Sequence, residues 1–292
     1  MGSRADGDEQ LAGVTELIRS ARGRTLVLTG AGISTDSGIP DYRGADGVRR
    51  ATPMGYAEFV ADPRARRRYW ARAYAGWPRL RAARPNAGHL AVSDLQRWGW
   101  FGGLITQNVD GLHQQAGSTE VTELHGSLAG VVCLECRRTL AREDVQQWLA
   151  QANPDLDLRI ASMRPDGDTE LDEELVGRFV PPRCPDCGQD RLKPDVVFFG
   201  ESVPRERVDA CFAQVEAAGL LVVLGSSLQV LSGYRFVRRA AQLGMPVVVV
   251  TRGVHRATAE ATIHLDAPLG QVLPAVQAAL AVDRLSEWSA TP

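Results

Sequence analysis

The chain is almost without lysine. Its 292 residues contain one, Lys193, against 32 arginines. We read this first as a coding bias toward arginine and alanine, with the chemical consequence that the protein carries few side-chain amines. It also lacks a marked net charge. With 33 basic and 35 acidic residues the balance is −2, so nothing in bulk invites nucleic acid or an anionic membrane. No apolar run approaches the roughly 18 residues that a membrane-spanning helix needs. The N-terminal stretch "MGSRADGDEQ" is polar and has no apolar signal region. We therefore expect a cytoplasmic protein, where disulfides are disfavoured. Cysteine is scarce: Cys133, Cys136, Cys184, Cys187 and Cys211. No internal repeat is found. Nothing fixes the oligomeric state, and a monomer is the expectation.

What is present is ordinary in amount, at 44% hydrophobic and 23% charged residues, and informative in order. Short apolar runs occur at 25–29 ("TLVLT"), 103–106 ("GLIT"), 196–199 ("VVFF"), 220–224 ("LLVVL"), 246–250 ("PVVVV") and 261–265 ("ATIHL"). They do not alternate with polar residues, so each should be a strand covered on both faces, as in a parallel sheet. Helical patterns cover 8–21, 86–98, 205–218, 233–243 and 271–282. Alternating strands and helices imply an α/β fold with a doubly wound, Rossmann-like parallel sheet. A βαβ unit takes about 30 residues, yet "TLVLT" and "GLIT" are far more widely spaced, as are the Cys133 region and "VVFF". These gaps read as insertions forming a smaller helical and zinc-binding domain. The expected division is 1–45, 86–130 and 195–292 for the sheet domain, and 46–85 with 131–194 for the small one. The first insertion holds an Arg- and aromatic-rich helical stretch (62–85). The second holds the cysteines and an acidic Pro/Gly-containing segment (153–177).

Two C-x-x-C hooks, Cys133-Leu-Glu-Cys136 and Cys184-Pro-Asp-Cys187, stand 47 residues apart. Such hooks supply four thiolates to a tetrahedral Zn²⁺, and an all-thiolate set leaves no open position, so the metal is expected to be structural. The separation is long for a compact zinc ribbon, but loop-closure cost grows slowly with length. Cys211, on a helical pattern, reads as a core residue.

Four polar segments sit at or near strand ends, where open α/β sheets bind ligands. They are "TGAGISTDSGIPDYRG" (29–44), "TQNVDGLH" (106–113), "ELHGS" (123–127) and "GSSLQV" (225–230). The first begins as a dinucleotide-binding turn. It then lacks the third glycine of G-x-G-x-x-G and the acidic residue expected about 20 positions on. Gly30, Ala31 and Gly32 would let backbone N–H groups approach a pyrophosphate, and Gly225, Ser226 and Ser227 would form a second nest. Alone, the first would be a tight turn and the serines a helix cap. Gln107, Asn108 and Asp110 offer amide and carboxylate groups for ribose hydroxyls or a carboxamide. His125, between Leu124 and Gly126, could accept a proton from a hydroxyl near neutral pH; an isolated "LHG" would equally be a core histidine. His113 is read as a core histidine bonded to backbone.

Taken together and in this order, "GAGIS", "GIPDYRG", "TQNVDGLH", "ELHGS", the two hooks, "KPDVVFFGE" and "GSSLQV" resemble a sirtuin, an NAD⁺-dependent protein deacylase. "RRRYWARAYAGWP" with "RPNAGH" further resembles the class II branch, mitochondrial-type and bacterial. The resemblance implies that NAD⁺ lies between the α/β domain and the zinc domain. The acyl-lysine carbonyl oxygen attacks C1′ of the nicotinamide ribose and nicotinamide leaves. His125 is then the general base that activates a ribose hydroxyl, whose attack on the resulting alkylimidate leads to free lysine and O-acyl-ADP-ribose. Asn108 and Asp110 match catalytic positions that arrange the nicotinamide pocket, and Gln107 a ribose contact. Gly30, Ala31, Gly32, Ile33 and Asp36 match the phosphate-facing turn. Pro40, Asp41, Tyr42 and Arg43 match a cofactor loop that orders when NAD⁺ arrives. Gly225, Ser226, Ser227, Thr251, Arg252 and Leu269 complete the cofactor set. Val197, Phe198, Gly200 and Glu201 match the acyl-lysine channel and peptide strand, with Leu228, Gln229 and Val230 opposite. Peptide binding would then proceed mainly by β-augmentation, which reads backbone more than sequence.

Three departures stand out. Thr251 occupies the usual place of an asparagine that contacts the adenosine ribose. "RGVHRAT" (252–258) replaces the usual G-x-T-R pattern, and "APLGQ" puts Leu269 at the adenine turn. Acyl preference is open: Tyr69 and Arg72 form Y-x-x-R, whose spacing on a helix would let both reach an acidic acyl group, or the pair belongs to a solvated arginine helix with one buried aromatic edge. Besides deacylation, a protein mono-ADP-ribosyltransferase or a non-catalytic NAD⁺ or ADP-ribose sensor would use the same residues.

Overall fold

In the computed structural model, which describes residues 4–44, 46–49, 52–154, 156 and 171–289, the chain opens with α1 (Arg4–Ala21), β1 (Thr25–Thr29) and two 3-10 turns (Ala31–Ile33, Thr35–Ser37). There follow α2 (Tyr56–Ala61), α3 (Pro63–Ala82), α4 (Ala87–Arg97), β2 (Phe101–Thr106), α5 (Leu112–Gln115), β3 (Val121–Glu123), β4 (Gly126–Cys133), β5 (Thr139–Ala141) and α6 (Arg142–Ala152). The rest is α7 (Glu173–Arg178), β6 (Leu192–Val196), α8 (Arg205–Ala217), β7 (Leu220–Leu224), α9 (Leu231–Gln242), β8 (Val247–Val250), β9 (Ile263–Leu265) and α10 (Leu269–Ser289). Most of the acidic segment expected at 153–177, namely residue 155 and residues 157–170, lies outside the described residues.

Six strands form one parallel sheet in the order β3-β2-β1-β7-β8-β9. Its crossovers change direction between β1 and β7, and ligands of such sheets bind outside the carboxyl ends of the strands at that point. Successive side chains leave a strand on opposite faces, and here both faces are covered. Val27, Leu104, Val222 and Val248 pack with Val14 and Ile18 of α1, Val92 and Leu95 of α4, and Leu273 and Val276 of α10. Leu26, Leu28, Leu221, Val223, Val247 and Val249 pack with Cys211 and Val215 of α8 and Phe236 and Val237 of α9. That two-sided burial is why these strands read as unbroken apolar runs.

A second, antiparallel sheet runs β5-β4-β6. It shares an apolar cluster with Phe59 of α2, Tyr69, Trp70 and Trp77 of α3, and Val145 and Leu149 of α6. Helix α3 starts where its sequence says: Asp62 accepts from Arg64 N–H at 2.8 Å, and Pro63, which needs no donor, takes the first position. One strand assignment is corrected. The run at 196–199 is not part of the parallel sheet. Val196 ends β6 of the antiparallel sheet, and Phe199 makes a single bridge to Gly55. Its apolar residues serve other ends: Phe198 packs on Phe59 and Tyr69, each with ring centroids 5.2 Å away, while Phe199 is half exposed. Among the described residues no helix is long and apolar enough to cross a membrane.

Candidate active site

The turns after β1 and β7 are in direct contact. A Cβ on Gly32 would stand 2.8 Å from the Gly225 carbonyl oxygen, and one on Gly30 2.8 Å from Ser226 Cβ. Gly225 itself has φ +63°, a conformation that side chains rarely adopt. The glycines thus let two backbones touch. Gly30 N–H donates to Leu224 O (3.0 Å) and Gly32 N–H to Gly225 O (2.8 Å). Two amides of the expected phosphate nest are therefore committed to joining the turns. Next to them opens a cavity of about 980 Å³, at the upper end of the usual range for ligand sites.

The segment after β2 supplies its polar floor. Asn108 Nδ2 donates to Gly30 O and Ser34 Oγ, both at 3.1 Å. Ser34 Oγ donates to Asp110 Oδ2 at 2.7 Å, and Asp110 Oδ1 accepts from Leu112 N–H at 2.9 Å. Burial raises the Asp110 pKa above the usual carboxylate value, with those two hydrogen bonds opposing. Behind this floor, Thr106 Oγ1 accepts from Asn108 N–H (3.1 Å) and from Thr29 Oγ1 (2.8 Å), and Thr29 Oγ1 meets His113 Nε2 at 3.0 Å. His113 is thus a core histidine, though its partner is a side-chain hydroxyl instead of backbone. Asn86 caps α4 and reaches forward to Ile33 O (2.7 Å) and Ser37 Oγ (2.9 Å), tying down the turn that leads to Pro40.

His125 stands between the ends of β2 and β7. Its Nδ1 lies 3.0 Å from Gln107 O and its Nε2 2.7 Å from Ser232 Oγ. A carbonyl oxygen only accepts, so Nδ1 carries the proton of the neutral ring and Nε2 holds the lone pair. Burial lowers the His125 pKa first, with Arg207 and Arg235 adding to it and the Gln107 carbonyl opposing. The Gln107 side chain donates to Ser226 Oγ at 2.8 Å, so that serine braces the β2 end and caps no helix. His125 O accepts from Val197 N–H (2.8 Å), fastening the base to the 197–201 segment. That segment is itself anchored by the one lysine. Lys193, 3% exposed, pairs with Glu201 at 3.0 Å, donates to Val196 O, and lies 4.7 Å from the Phe198 ring centroid. Leu228, opposite, is buried with φ +56°, a conformation costing on the order of 1–3 kcal/mol for a non-glycine residue and concentrated at functional sites.

The cavity brings together Gly30, Ala31, Gly32, Asp41, Tyr42 and Arg43 with Gln107, Asn108, Asp110 and His125. Val197, Phe198, Gly200 and Glu201 face it from one side, Gly225 to Val230 from the other, and Thr251 and Arg252 close the far end. Four expected cofactor residues are not on its lining: Ile33 and Leu269 are buried in the core, Asp36 lies beside Gly270, and Pro40 sits between lining residues. Sequence reading gave no site role to Ser34, Ser232 or the apolar group Ile39, Met54, Val109 and Leu128. Ser34, Ile39 and Val109 lay within the quoted "GAGIS", "GIPDYRG" and "TQNVDGLH"; Ser232, Met54 and Leu128 carry no local signal, because distant chain segments bring them in. Tyr69 lines the cavity, whereas Arg72 does not.

The four cysteines of the hooks converge. Their Sγ atoms all lie within 4.8 Å of one another, with Cys133–Cys187 and Cys136–Cys184 at 3.6 Å. A tetrahedral zinc with bonds of about 2.3 Å needs sulfurs about 3.8 Å apart, so the set fits that ion. Cys211 is fully buried in the core.

The model of the Sir2 family matches residues 30–232. The chain belongs to the Sir2 family. It is 52% identical over 271 residues to NAD-dependent protein deacetylase 1 of Streptomyces coelicolor, covering 92% of this chain and 90% of that one. It is 50% identical over 250 residues to NAD-dependent protein deacetylase 3 of Pseudomonas syringae pv. tomato, covering 85% and 89%. Among solved structures, one described as Sir2-p53 peptide-NAD+ superposes with a TM-score of 0.74 at 28% identity, covering 93% of this chain and 99% of that chain.

Proposed function

We infer that this sirtuin is an NAD⁺-dependent protein-lysine deacetylase. The observation that carries the reading is His125. Its neutral tautomer is fixed by Gln107 O, and its Nε2 lone pair faces the same cavity as the Asn108–Ser34–Asp110 network. The dinucleotide supplies the cleavable nicotinamide–ribose bond and the sugar that receives the acyl group. The chain's own residues do the rest. Asn108 and Asp110 orient the nicotinamide end, and Gln107 and Ser226 the ribose. Ala31, Arg43 and the Gly225–Ser227 turn receive the phosphates. Thr251 and Arg252 take the adenosine end, with Ile33, Asp36, Pro40 and Leu269 supporting from behind the lining. Asp41 and Tyr42 cover the nicotinamide side. His125 Nε2 accepts the proton of a sugar hydroxyl.

An extended substrate segment enters between 197–201 and 228–230, and its acyl-lysine passes Phe198 toward Ile39, Met54 and Leu128. We propose uncharged acyl groups, acetyl first, because the arginine that would recognise an acid, Arg72, is absent from the lining. Zinc on Cys133, Cys136, Cys184 and Cys187 is structural. The division is into a sheet domain (1–45, 86–130, 195–292) and a small domain (46–85, 131–194), with Ile39, Leu112, Leu128, Val196 and Phe198 of the first packing into the apolar cluster of the second. Thiolate ligands suit a reducing cytoplasm. The "RRRYWARAYAGWP" and "RPNAGH" stretches support placement in the class II branch.

The test is incubation with NAD⁺ and an acetyl-lysine peptide, following nicotinamide release and peptide mass. Deacetylation is expected from the native protein, with a loss of at least about 100-fold in His125→Ala. Label on protein with the acetyl group retained would replace this reading by ADP-ribosyl transfer. Absence of nicotinamide release from native protein would sink both enzyme readings and leave a sensor.

A further inference from the structure

Both nitrogens of His125 are engaged, and from opposite directions. Nδ1 meets Gln107 O at 3.0 Å, at the end of β2. Nε2 meets Ser232 Oγ at 2.7 Å, on the first turn of α9 after β7. These two supports are packed on each other. A Cβ on Gly233 would stand 2.7 Å from Gln107 Oε1, so the start of α9 lies directly against the Gln107 side chain, which a larger residue at 233 would displace. The ring is thus clamped across the crevice, and it faces the same cavity as Ser232.

We propose that Ser232 is the positioning residue of the base: its hydroxyl donates to His125 Nε2, keeps the ring neutral and oriented in the free enzyme, and holds the place that a sugar hydroxyl takes when the dinucleotide binds. The proposal rests on the reading of His125 as general base. Its chemistry follows from the tautomer. With Nδ1–H committed to a carbonyl oxygen, Nε2 can only accept while the ring is neutral, and a serine hydroxyl is the donor at hand. Protonating Nε2 would turn that hydrogen bond around and require the hydroxyl to reorient. No proton changes hands when a sugar hydroxyl replaces Ser232, since Nε2 is unprotonated before and after. The charged groups acting on the ring are Arg207 from α8 and Arg235 from α9. Both disfavour an imidazolium, and the Gln107 carbonyl favours it. Ser232 adds to the arginines' side, and unlike them it also fixes direction.

The experiment is a titration of the full-length protein labelled at its histidines, with the His125 ring signal assigned by its loss in His125→Ala. In Ser232→Ala the midpoint of His125 is expected to rise by about half to one pH unit, the equivalent of one ordinary hydrogen bond to the neutral ring. The acid limb of the kcat/KM profile should move the same way. Ser232→Thr keeps the hydroxyl and should restore the native midpoint. Should Ser232→Ala fail to fold, Ser232→Cys, a weaker donor of similar shape, should give an intermediate rise. An unchanged midpoint in Ser232→Ala or Ser232→Cys, or a rise in Ser232→Thr as large as that in Ser232→Ala, would overturn the proposal. Retained deacetylation in His125→Ala would instead overturn the reading of the base, so the two failures are distinguishable.

Discussion

Lys193 is the residue most unlike its neighbours in the composition, and its setting explains why an arginine does not stand there. The ammonium donates to Val196 O and Pro194 O, pairs with Glu201, and lies over the Phe198 ring. That compact, three-donor geometry suits a point cation better than a planar fork. Burial lowers its pKa, with Glu201 as the main opposing influence. Glu201 in turn accepts from Phe198 N–H at 2.8 Å, so the pair shapes the turn that we read as the acyl-lysine side of the site. Removing one member of a buried pair strands the other. Lys193→Ala should therefore lose about 3 kcal/mol or more of stability in urea unfolding, and Lys193→Met with Glu201→Gln much less. Equal losses in the two would mean that packing, not charge pairing, is what Lys193 supplies. The same burial leaves the chain's one lysine amine shielded from acyl donors.

At the scale of elements, α4 and α5 meet through two histidines that have no room for a charge. The rings of His89 and His113 stand 4.9 Å apart, and His89 Nε2 and His113 Nδ1 are buried with no hydrogen-bond partner among the described residues. Burial pulls the His89 pKa down to about 4 and the His113 pKa to about 3, with His89 adding to the second. A folded-state pKa below the unfolded value means that the unfolded chain takes up protons first as pH falls. The contribution is fully present above about pH 6.5 and is lost on acidification, through about pH 4 for His89 and about pH 3 for His113, at about 1.4 kcal/mol per pH unit for each proton withheld. Thermal melts between pH 7 and 4 should thus fall steeply for the native chain. They should fall less for His89→Asn with His113→Gln, which starts lower at pH 7. Parallel slopes would refute the link. The elements themselves differ in how far the sequence betrays them. "TLVLT" and "LLVVL" are β1 and β7 residue for residue, because burial on both faces leaves an unbroken apolar run. "VVFF" looks the same in sequence, yet its apolar groups answer to an aromatic cluster and a cavity. β3 and β5 have three residues each and offer no period to read. In the cavity, the loops at strand ends were legible as motifs, since their glycines and amides are local signals. Ser232 and Met54 were not, because their meaning lies in contacts across the fold.

For the whole molecule, the question is what couples the two sheets. The antiparallel sheet has three strands, one of them three residues long, and it relies on packing against its helices for stability. The four thiolates join the end of β4 to the knuckle before β6, which closes a 47-residue stretch of chain. Cys133 and Cys184 belong to the same apolar cluster as Ile39, Val196 and Phe198, which line the cavity. The Gly30–Gly225 contact and the parallel sheet draw on other clusters. Loss of the metal should therefore loosen the acyl-lysine side before the dinucleotide side. Cys187→Ser, or treatment with a strong chelator, is expected to remove zinc and lower Tm by roughly 10 °C or more, since a structural zinc contributes several kcal/mol. Peptide turnover should fall further than dinucleotide affinity measured by calorimetry. Full zinc occupancy in Cys187→Ser would refute the ligand set. An equal loss of peptide turnover and dinucleotide affinity would show that the small sheet and the crevice between β1 and β7 are one cooperative unit, with the metal supporting both.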